Sequence, residues 1–337
     1  VNMENMNQQK INFFTYISHD LKTPLTLILS PLQRLIQQPQ ISNNDKEKLE
    51  VIYRNANRMN YLINELLTFS KIEMKQMHIS VRKGDVMHFL EELSHIFDIV
   101  AGEREIDFIV SLEDTKEEVW FSPSKLERIL YNLLSNAFKY TQPGGYVRLS
   151  AKLIKEEKET MVQISVKDSG RGIPKDVQEQ IFESYYQVEK RDHREGFGLG
   201  LSLTRSLIHM HKGEIRVESE VNKGSDFIVT LNVSEDAYAP DERSSENITT
   251  EEIQKYNQRI KETIELIPEK LTNKEKDSGR ESIMIVEDNK EMNDYLASIF
   301  GEKYDIIRAY NGAEACKKIA RQLPNLIISD LMMPVMD

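Results

Sequence analysis

The stretch SHDLKTPL, at residues 18–25, lies inside a long helical pattern near the start of the chain. Apolar residues around it recur at spacings of three and four, which predicts one buried helix face. These positions are Ile11, Phe14, Ile17, Leu21, Leu25, Ile28, Leu32 and Leu35. His19 falls outside this series, so the pattern predicts that its side chain points outward. A single outward histidine is usually an ordinary solvated residue, and the rest of the chain decides whether this one does more.

The helix that contains this stretch covers residues 1–38 and is followed by a polar break. A second predicted helix runs from about Lys46 to Glu73. Its apolar face comprises Leu49, Ile52, Ala56, Met59, Ile63 and Leu66. Two helices with one apolar face each predict an antiparallel hairpin, and a dimer that forms a four-helix bundle would bury both faces. Packing of the hairpin against the next domain is the alternative.

The composition is that of a soluble, multidomain protein. The chain has 337 residues, of which 39% are hydrophobic and 29% charged, so two or three domains are expected. The net charge of −11 argues against general affinity for nucleic acid or anionic lipid. With Cys316 as the single cysteine, no internal disulfide can form. There is no visible signal peptide or membrane-spanning stretch, and the first residue and the last turn suggest a fragment.

From about His78 the pattern changes to alternating strands and helices. Strand-like runs are residues 78–81, 106–111, 146–154, 161–167, 213–219 and 226–233, and helical segments are 86–100, 124–139, 175–182 and 200–211. Residues 235–281 are acidic and polar, which predicts a linker. Within this linker Ile253, Tyr256, Ile260 and Ile264 keep helical spacing, and a helix and a loosely ordered segment fit equally well.

The last part of the chain has the pattern of a parallel, doubly wound sheet. Apolar runs at 282–286, 304–309 and 326–329 alternate with helical segments at 290–300 and 312–321. The first run is followed by Glu287 and Asp288, and the third by Asp330. In such sheets, sites form at the carboxyl ends of the strands.

The middle region contains four signals that could carry chemistry. On the helix over residues 126–140, Asn132, Asn136 and Lys139 share one face. Amide oxygens can ligate Mg²⁺, and a lysine can contact phosphate. The second signal is Asp168 with Gly170 and Gly172 at a strand end, where a carboxylate can accept from an adenine amino group and glycines allow close backbone approach.

The third signal is IFESYY at residues 181–186, and the fourth is GFGLG at residues 196–200. The fourth opens a helix, and a glycine loop at a helix N-terminus is suited to holding phosphates. It lacks the Lys-Ser/Thr ending of a P-loop. Each signal alone is weak, but this order and spacing of all four is specific.

These motifs resemble those of bacterial hybrid sensor histidine kinases, most closely the hybrid two-component regulators of gut Bacteroidetes. Residues 13–29 resemble the phosphoacceptor helix of that family. The four middle signals resemble the N, first glycine, F and second glycine boxes of its ATP-binding domain, and residues 282–337 resemble the first half of a receiver domain. The resemblance covers essentially everything except the linker.

The fold that this resemblance implies is multidomain, α plus α/β. Residues 1–75 would be a dimerisation and histidine phosphotransfer hairpin, a four-helix bundle as a dimer. Residues 76–234 would be an α/β-sandwich ATP-binding domain of the gyrase, chaperone and histidine kinase type. After a linker over 235–281, residues 282–337 would be the N-terminal half of a flavodoxin-like receiver.

The resemblance also implies roles in the hairpin. His19 would attack the γ-phosphate of ATP, and Asp20 would orient and deprotonate its imidazole. Thr23 would help align water for phosphatase activity, and its position one turn after His19 places it on the same helix face.

In the ATP-binding domain, the resemblance implies that Asn136 is a Mg²⁺ ligand and that Asn132 and Lys139 contact the phosphates. Tyr140 would pack on adenine and Asp168 would read it. The glycines that match the nucleotide-binding boxes are Gly170, Gly172, Gly196, Gly198 and Gly200.

In the receiver-like part, Asp330 matches the phosphoacceptor, and Glu287 and Asp288 match the acidic pair that helps to bind Mg²⁺. Three converging carboxylates repel one another without a cation, so the chemistry agrees with this role. The later receiver strands, with the hydroxyl residue and lysine that hold the phosphoryl group, are absent from the sequence. Transfer to Asp330 is therefore expected of a complete receiver.

The implied function is ATP-dependent, Mg²⁺-assisted autophosphorylation of His19 and transfer of the phosphoryl group to Asp330. The implied partners are a second copy of the chain and a receiver domain of the same or the partner chain, without direct contact of this fragment with nucleic acid or membrane. The parent protein would lie at the cytoplasmic side of the bacterial inner membrane, with a membrane-spanning sensor upstream. A core that acts mainly as a phosphatase, a scaffold with an inactive ATP pocket, and a free ATPase of the gyrase and chaperone type remain as alternatives.

Overall fold

The structure is a computed structural model, and it describes residues 21, 24–36, 42–74, 76–157, 159–184, 186, 198–264, 281–301, 303–320 and 322–330. The predicted site residues His19, Asp20, Thr23 and Gly196 lie outside these ranges. The chain divides into two compact units, one that runs to Tyr186 and resumes at Gly198, and one that includes residues 281–330.

The hairpin consists of helix α1, described over residues 24–36, and helix α2, Asn43–Glu73. The Ser42 hydroxyl accepts a hydrogen bond from the Asp45 N–H at 3.2 Å, which caps the first turn of α2. Large apolar side chains remain exposed on both helices. They include Leu27, Ile28 and Leu35 on α1 and Ile52 and Met59 on α2. A single copy of the hairpin therefore leaves part of its apolar surface uncovered.

The second part of the first unit is a five-stranded sheet packed against helices. The strands are β2 Asp107–Leu112, β4 Tyr146–Lys155, β5 Thr160–Asp168, β6 Glu214–Glu220 and β7 Gly224–Asn232, in the order β2-β4-β5-β7-β6. Only β2 and β4 pair in parallel; the other neighbours are antiparallel. These five strands confirm five of the six predicted runs in this region.

Between residues 76 and 234, the described part of the chain adds four α-helices and two short strands to this sheet. The helices are α3 Val86–Ser94, α4 Ile96–Arg104, α5 Pro123–Tyr140 and α6 Gly200–Met210. The short strands, β1 Arg82–Asp85 and β3 Glu118–Phe121, pair with each other. Sheet and helices share one core, which contains the fully buried Phe89, Phe97, Phe121 and Phe138. The sequence did not predict β1 or β3, because four residues are too few to show a period.

The prediction of a linker is wrong for residues 235–264. Helix α7, Thr250–Ile264, places its apolar face in the core of the sheet-and-helix layer. The buried positions are Ile253, Tyr256 and Ile260, which are 1–7% exposed. The residues between these positions are polar or basic, so the helical spacing is the informative signal within this polar segment. Residues 265–280 lie outside the described ranges.

The second unit has the predicted β-α-β-α-β order. Its elements are β8 Ser282–Val286, α8 Lys290–Phe300, β9 Asp305–Ala309, α9 Gly312–Ile319 and β10 Leu326–Ser329. All three strands are parallel, in the order β10-β8-β9. The amide side chains of Asn289 and Asn311 cap α8 and α9. Across the described ranges, none of the helices is both long and apolar enough to cross a bilayer.

Candidate functional site

Asp168 is a buried acid at the end of the central strand β5, with only 5% of its surface exposed. Its Oδ1 accepts a hydrogen bond from the Gly170 N–H at 2.7 Å. Burial raises the pKa of this carboxyl to about 6, against the opposing effect of backbone hydrogen bonds from Gly170 and Ser225, and the nearby charge of Asp226 raises it further. A carboxylate fixed in this way can accept a hydrogen bond from a ligand amino group.

Two predicted glycines make close backbone contacts around Asp168. A Cβ on Gly170 would lie 2.6 Å from the carbonyl oxygen of Tyr140, at the end of α5. Gly172 has φ +69°, and a Cβ there would lie 2.0 Å from the carbonyl oxygen of Glu220. Both glycines therefore let the loop after β5 pack against protein backbone, which fixes the position of the acid.

A third glycine, Gly224, was not predicted as part of the site. It has φ +99°, and a Cβ on it would lie 1.9 Å from the carbonyl oxygen of Asp168. The turn N-K-G at residues 222–224 was the available sequence signal.

The last turn of α5 places aromatic and cationic side chains beside this loop. Asn136 and Lys139 are half-buried and Tyr140 is 37% exposed. The Tyr140 ring centroid lies 5.2 Å from Lys139 Nζ and 4.5 Å from the guanidinium carbon of Arg171. Two positive charges and an exposed ring suit an anionic ligand that also has an aromatic part. Arg171 was not predicted, because it reaches the ring from the loop after β5.

Asn132 has a structural partner. Its side chain is buried, and its Nδ2 donates to the hydroxyl of Thr204 on α6 at 2.6 Å. A Cβ on Gly200, the first residue of α6, would lie 2.7 Å from the Asn132 Oδ1. The Asn132 side chain therefore joins the middle of α5 to the first two turns of α6 at close approach. Gly198, with φ +68°, lies just before α6.

Part of the IFESYY stretch at residues 181–186 has a packing role. Phe182 is buried and packs edge-on against Phe227 of β7, with ring centroids 6.4 Å apart. This contact anchors the segment that follows the Asp168 loop to the central sheet.

An acidic group forms in the second unit. Glu287 and Asp288 follow β8, and Asp330 follows the neighbouring parallel strand β10. One carboxylate oxygen from each of the three lies within 4.8 Å of the others. Burial raises the pKa of Glu287; a hydrogen bond from the Asn289 N–H opposes this, and the charges of Asp330 and Asp288 add to it. Three converging carboxylates are the donor set that a hard divalent cation such as Mg²⁺ prefers.

Family models identify the sheet-and-helix layer as a nucleotide-binding ATPase domain that follows a helical hairpin. Residues 121–235 match the family of histidine kinase-, DNA gyrase B-, and HSP90-like ATPases. Residues 9–75 match the His Kinase A (phospho-acceptor) domain. The chain belongs to the histidine kinase family.

Curated relatives extend the similarity over nearly the whole chain. "Histidine kinase P4" of Formosa agariphila is 35% identical over 99% of this chain and 24% of its own length. "Sensor histidine kinase TmoS" of Ectopseudomonas mendocina is 33% identical over 98% of this chain and 34% of its own length. The chain thus spans about a quarter to a third of these relatives.

A solved structure, full-length ShkA in complex with AMPPNP, superposes with a TM-score of 0.57. The superposition covers 96% of this chain and 88% of that one, at 17% sequence identity. This likeness concerns the fold.

Proposed function

We propose that this chain is the kinase core of a hybrid sensor histidine kinase of the Bacteroidetes type, which phosphorylates itself on His19 with ATP. The observation that carries the proposal is the buried carboxylate of Asp168 beside the ring and cations of Tyr140, Lys139 and Arg171. An adenine amine, an adenine ring and a polyphosphate need these three kinds of group. The ATPase family match of residues 121–235 supports the same ligand.

In this proposal the chain's residues divide the work of binding. Asp168 accepts a hydrogen bond from the adenine amine, and Tyr140 packs on the base. Lys139 and Arg171 supply positive charge towards the phosphates. Asn136 fits a Mg²⁺ ion through its amide oxygen, and that ion would neutralise charge on the phosphates.

The transfer step uses residues of the hairpin. The imidazole nitrogen of His19 forms a bond to the γ-phosphorus, and the bond from that phosphorus to the β–γ bridging oxygen breaks. ADP leaves with the electron pair, and Asp20 takes the imidazole proton. The phospho-acceptor match over residues 9–75 supports this role for the stretch around His19.

The acidic group of Glu287, Asp288 and Asp330 supports the hybrid type. In the proposal it holds Mg²⁺, and the Asp330 carboxylate receives the phosphoryl group from His19. The parallel β-α-β-α-β unit that carries it begins at Ser282. We propose that the hairpin covers residues 1–75 and that the ATPase domain follows a connection over residues 76–85, with residues 235–264 packed onto it.

A second copy of the chain is the proposed partner of the hairpin, because exposed apolar residues on α1 and α2 need a cover. A receiver domain, of the same or the partner chain, is the proposed phosphoryl acceptor. The parent protein is proposed to be membrane-anchored, with this part on the cytoplasmic side.

Paired measurements on separate variants test the proposal. A fluorescent ATP analogue should bind the chain and its His19→Gln variant with equal affinity, whereas Asp168→Asn should weaken binding at least tenfold. Incubation with γ-labelled ATP and Mg²⁺ should label the parent chain and leave His19→Gln unlabelled. Equal nucleotide binding by the Asp168→Asn variant would remove the proposed nucleotide site.

A further inference from the structure

Residues 235–264, here termed the clasp, lie along the connection between the hairpin and the ATPase domain. That connection, residues 76–85, follows α2 and includes β1. Within the clasp, α7 contacts α2 of the hairpin as well as α3, α4 and α5. The ATPase family match ends at residue 235, so the clasp is an addition to the matched domain.

The backbone of the clasp forms hydrogen bonds with the backbone of the connection. The Val81 N–H donates to the carbonyl oxygen of Glu242 at 2.8 Å, and the Ser244 N–H donates to the carbonyl oxygen of Val81 at 2.9 Å. Val81 is fully buried in a small apolar cluster with Ile79 and Tyr238. Two backbone hydrogen bonds and an apolar cluster fix the chain just before β1.

A bidentate ion pair reinforces this attachment. The guanidinium nitrogens of Arg82 lie 2.7 Å and 2.6 Å from the two carboxylate oxygens of Glu252. The side chains are 13% and 30% exposed, so water screens the pair less than it screens a surface ion pair. Hydrogen bonds from Arg82 lower the pKa of the Glu252 carboxyl. Because two parallel hydrogen bonds form, the pair restricts the relative orientation of the Arg82 and Glu252 side chains as well as the distance between them.

The contact at Gly84 leaves little room between β1 and the clasp. A Cβ on Gly84 would lie 2.7 Å from Cδ1 of Ile248. Strand β1 therefore contacts the clasp at both Arg82 and Gly84.

We propose that the clasp fixes the orientation of the ATPase domain on the hairpin, with Arg82 and Glu252 as positioning residues for phosphoryl transfer. This inference rests on the proposed function, in which the nucleotide lies on one body and His19 on the other. Transfer requires the reacting atoms to approach within about 3–3.5 Å. A looser connection lets the domain sample more orientations, which lowers the fraction of bound nucleotide in reach of His19 without changing the nucleotide site.

The test compares three variants of the full chain. Glu252→Gln removes the ion pair, and Glu251→Gln makes the same chemical change at the exposed neighbouring position. Arg82→Glu/Glu252→Arg restores a pair with the charges exchanged. For His19 labelling we expect Glu252→Gln to lower kcat at least threefold with KM for ATP unchanged, Glu251→Gln to behave as the parent, and the exchanged pair to recover kcat to within twofold.

Hydrogen exchange provides a readout that does not depend on activity. Amides of residues 76–85 should exchange at least fivefold faster in Glu252→Gln than in the parent or in Glu251→Gln. Equal exchange, an unchanged kcat, or a loss of kcat that the exchanged pair does not recover would overturn the inference. If the parent chain is never labelled on His19, the proposed function fails, and the exchange rates still decide whether the clasp holds the connection.

Discussion

Replacing Asp168 by Asn is expected to stabilise the ATPase domain while it weakens nucleotide binding. Folding raises the pKa of Asp168 from 3.8 to about 6 because the carboxyl is buried. Each pKa unit corresponds to about 1.4 kcal/mol, so burying the ionised form costs about 3 kcal/mol at neutral pH. An asparagine can keep the acceptor for the Gly170 N–H and has no charge to desolvate.

The pH dependence gives this prediction its sign. Between pH 3.8 and 6 the folded chain holds a proton on Asp168 that the unfolded chain has lost. The contribution of protonated Asp168 to the parent's free energy of unfolding is therefore fully present below pH 3.8. It is lost as the pH rises to about 6. The free energy of unfolding of Asp168→Asn minus that of the parent should grow by about 2.4 kcal/mol from pH 4 to pH 7.

The assay is urea unfolding followed by the fluorescence of Trp120, the only tryptophan of the chain, which lies on β3 of this domain. Asp176→Asn, at an exposed position, is the matched control for the change in net charge. A difference that stays flat between pH 4 and 7 would refute the reasoning, as would a variant less stable than its parent at pH 7.

Three further outcomes are expected. Gly172→Ala should destabilise the domain by more than about 2 kcal/mol in urea unfolding, because its φ is +69° and a Cβ would lie 2.0 Å from a carbonyl oxygen. His211→Gln should reduce the loss of stability between pH 6.5 and pH 4, because burial lowers the pKa of His211 to about 4 and only the unfolded chain gains a proton in that range. Lys139→Ala should weaken binding of the ATP analogue about tenfold at low salt. The difference in affinity between the parent and this variant should shrink as salt is added, because salt screens the attraction between Lys139 and the phosphates.

Matched controls accompany the first two of these variants. Gly102→Ala should stabilise the chain by up to about 1 kcal/mol, because Gly102 lies in α4 with nothing within 4 Å of its Cβ position. His209→Gln, at an exposed position, should keep the acid slope of the parent. Equal effects of Gly172→Ala and Gly102→Ala, or of the two histidine variants, would contradict the packing arguments. An unchanged affinity of Lys139→Ala would contradict the phosphate contact.

The positions of the longer helices and strands could be predicted from the local spacing of apolar residues. The predicted helix at residues 124–139 is α5, Pro123–Tyr140, and the predicted strand at 161–167 is β5, Thr160–Asp168. In both, apolar residues keep the period of the element over three or more repeats, and that is enough information to place it.

Contacts between distant residues could not be predicted in this way. Asn132 was correctly placed on a helix face, but its partner Thr204 is 72 residues away. The pairing of Val81 with the segment around Arg243 involves single residues and leaves no period in either segment. The helical spacing within residues 253–264 correctly offered a helix as one alternative, but it could not show that the apolar face packs into the core of the preceding domain.

The central claim is that His19 accepts the γ-phosphoryl group of ATP. The most direct test is mass spectrometry of the full chain after incubation with ATP and Mg²⁺, read at neutral pH to preserve phosphohistidine. The account predicts one added phosphoryl group on the peptide that contains His19, lost on brief acid treatment and missing from the His19→Gln variant. An acid-stable modification, or an unchanged yield from the His19→Gln variant, would contradict it.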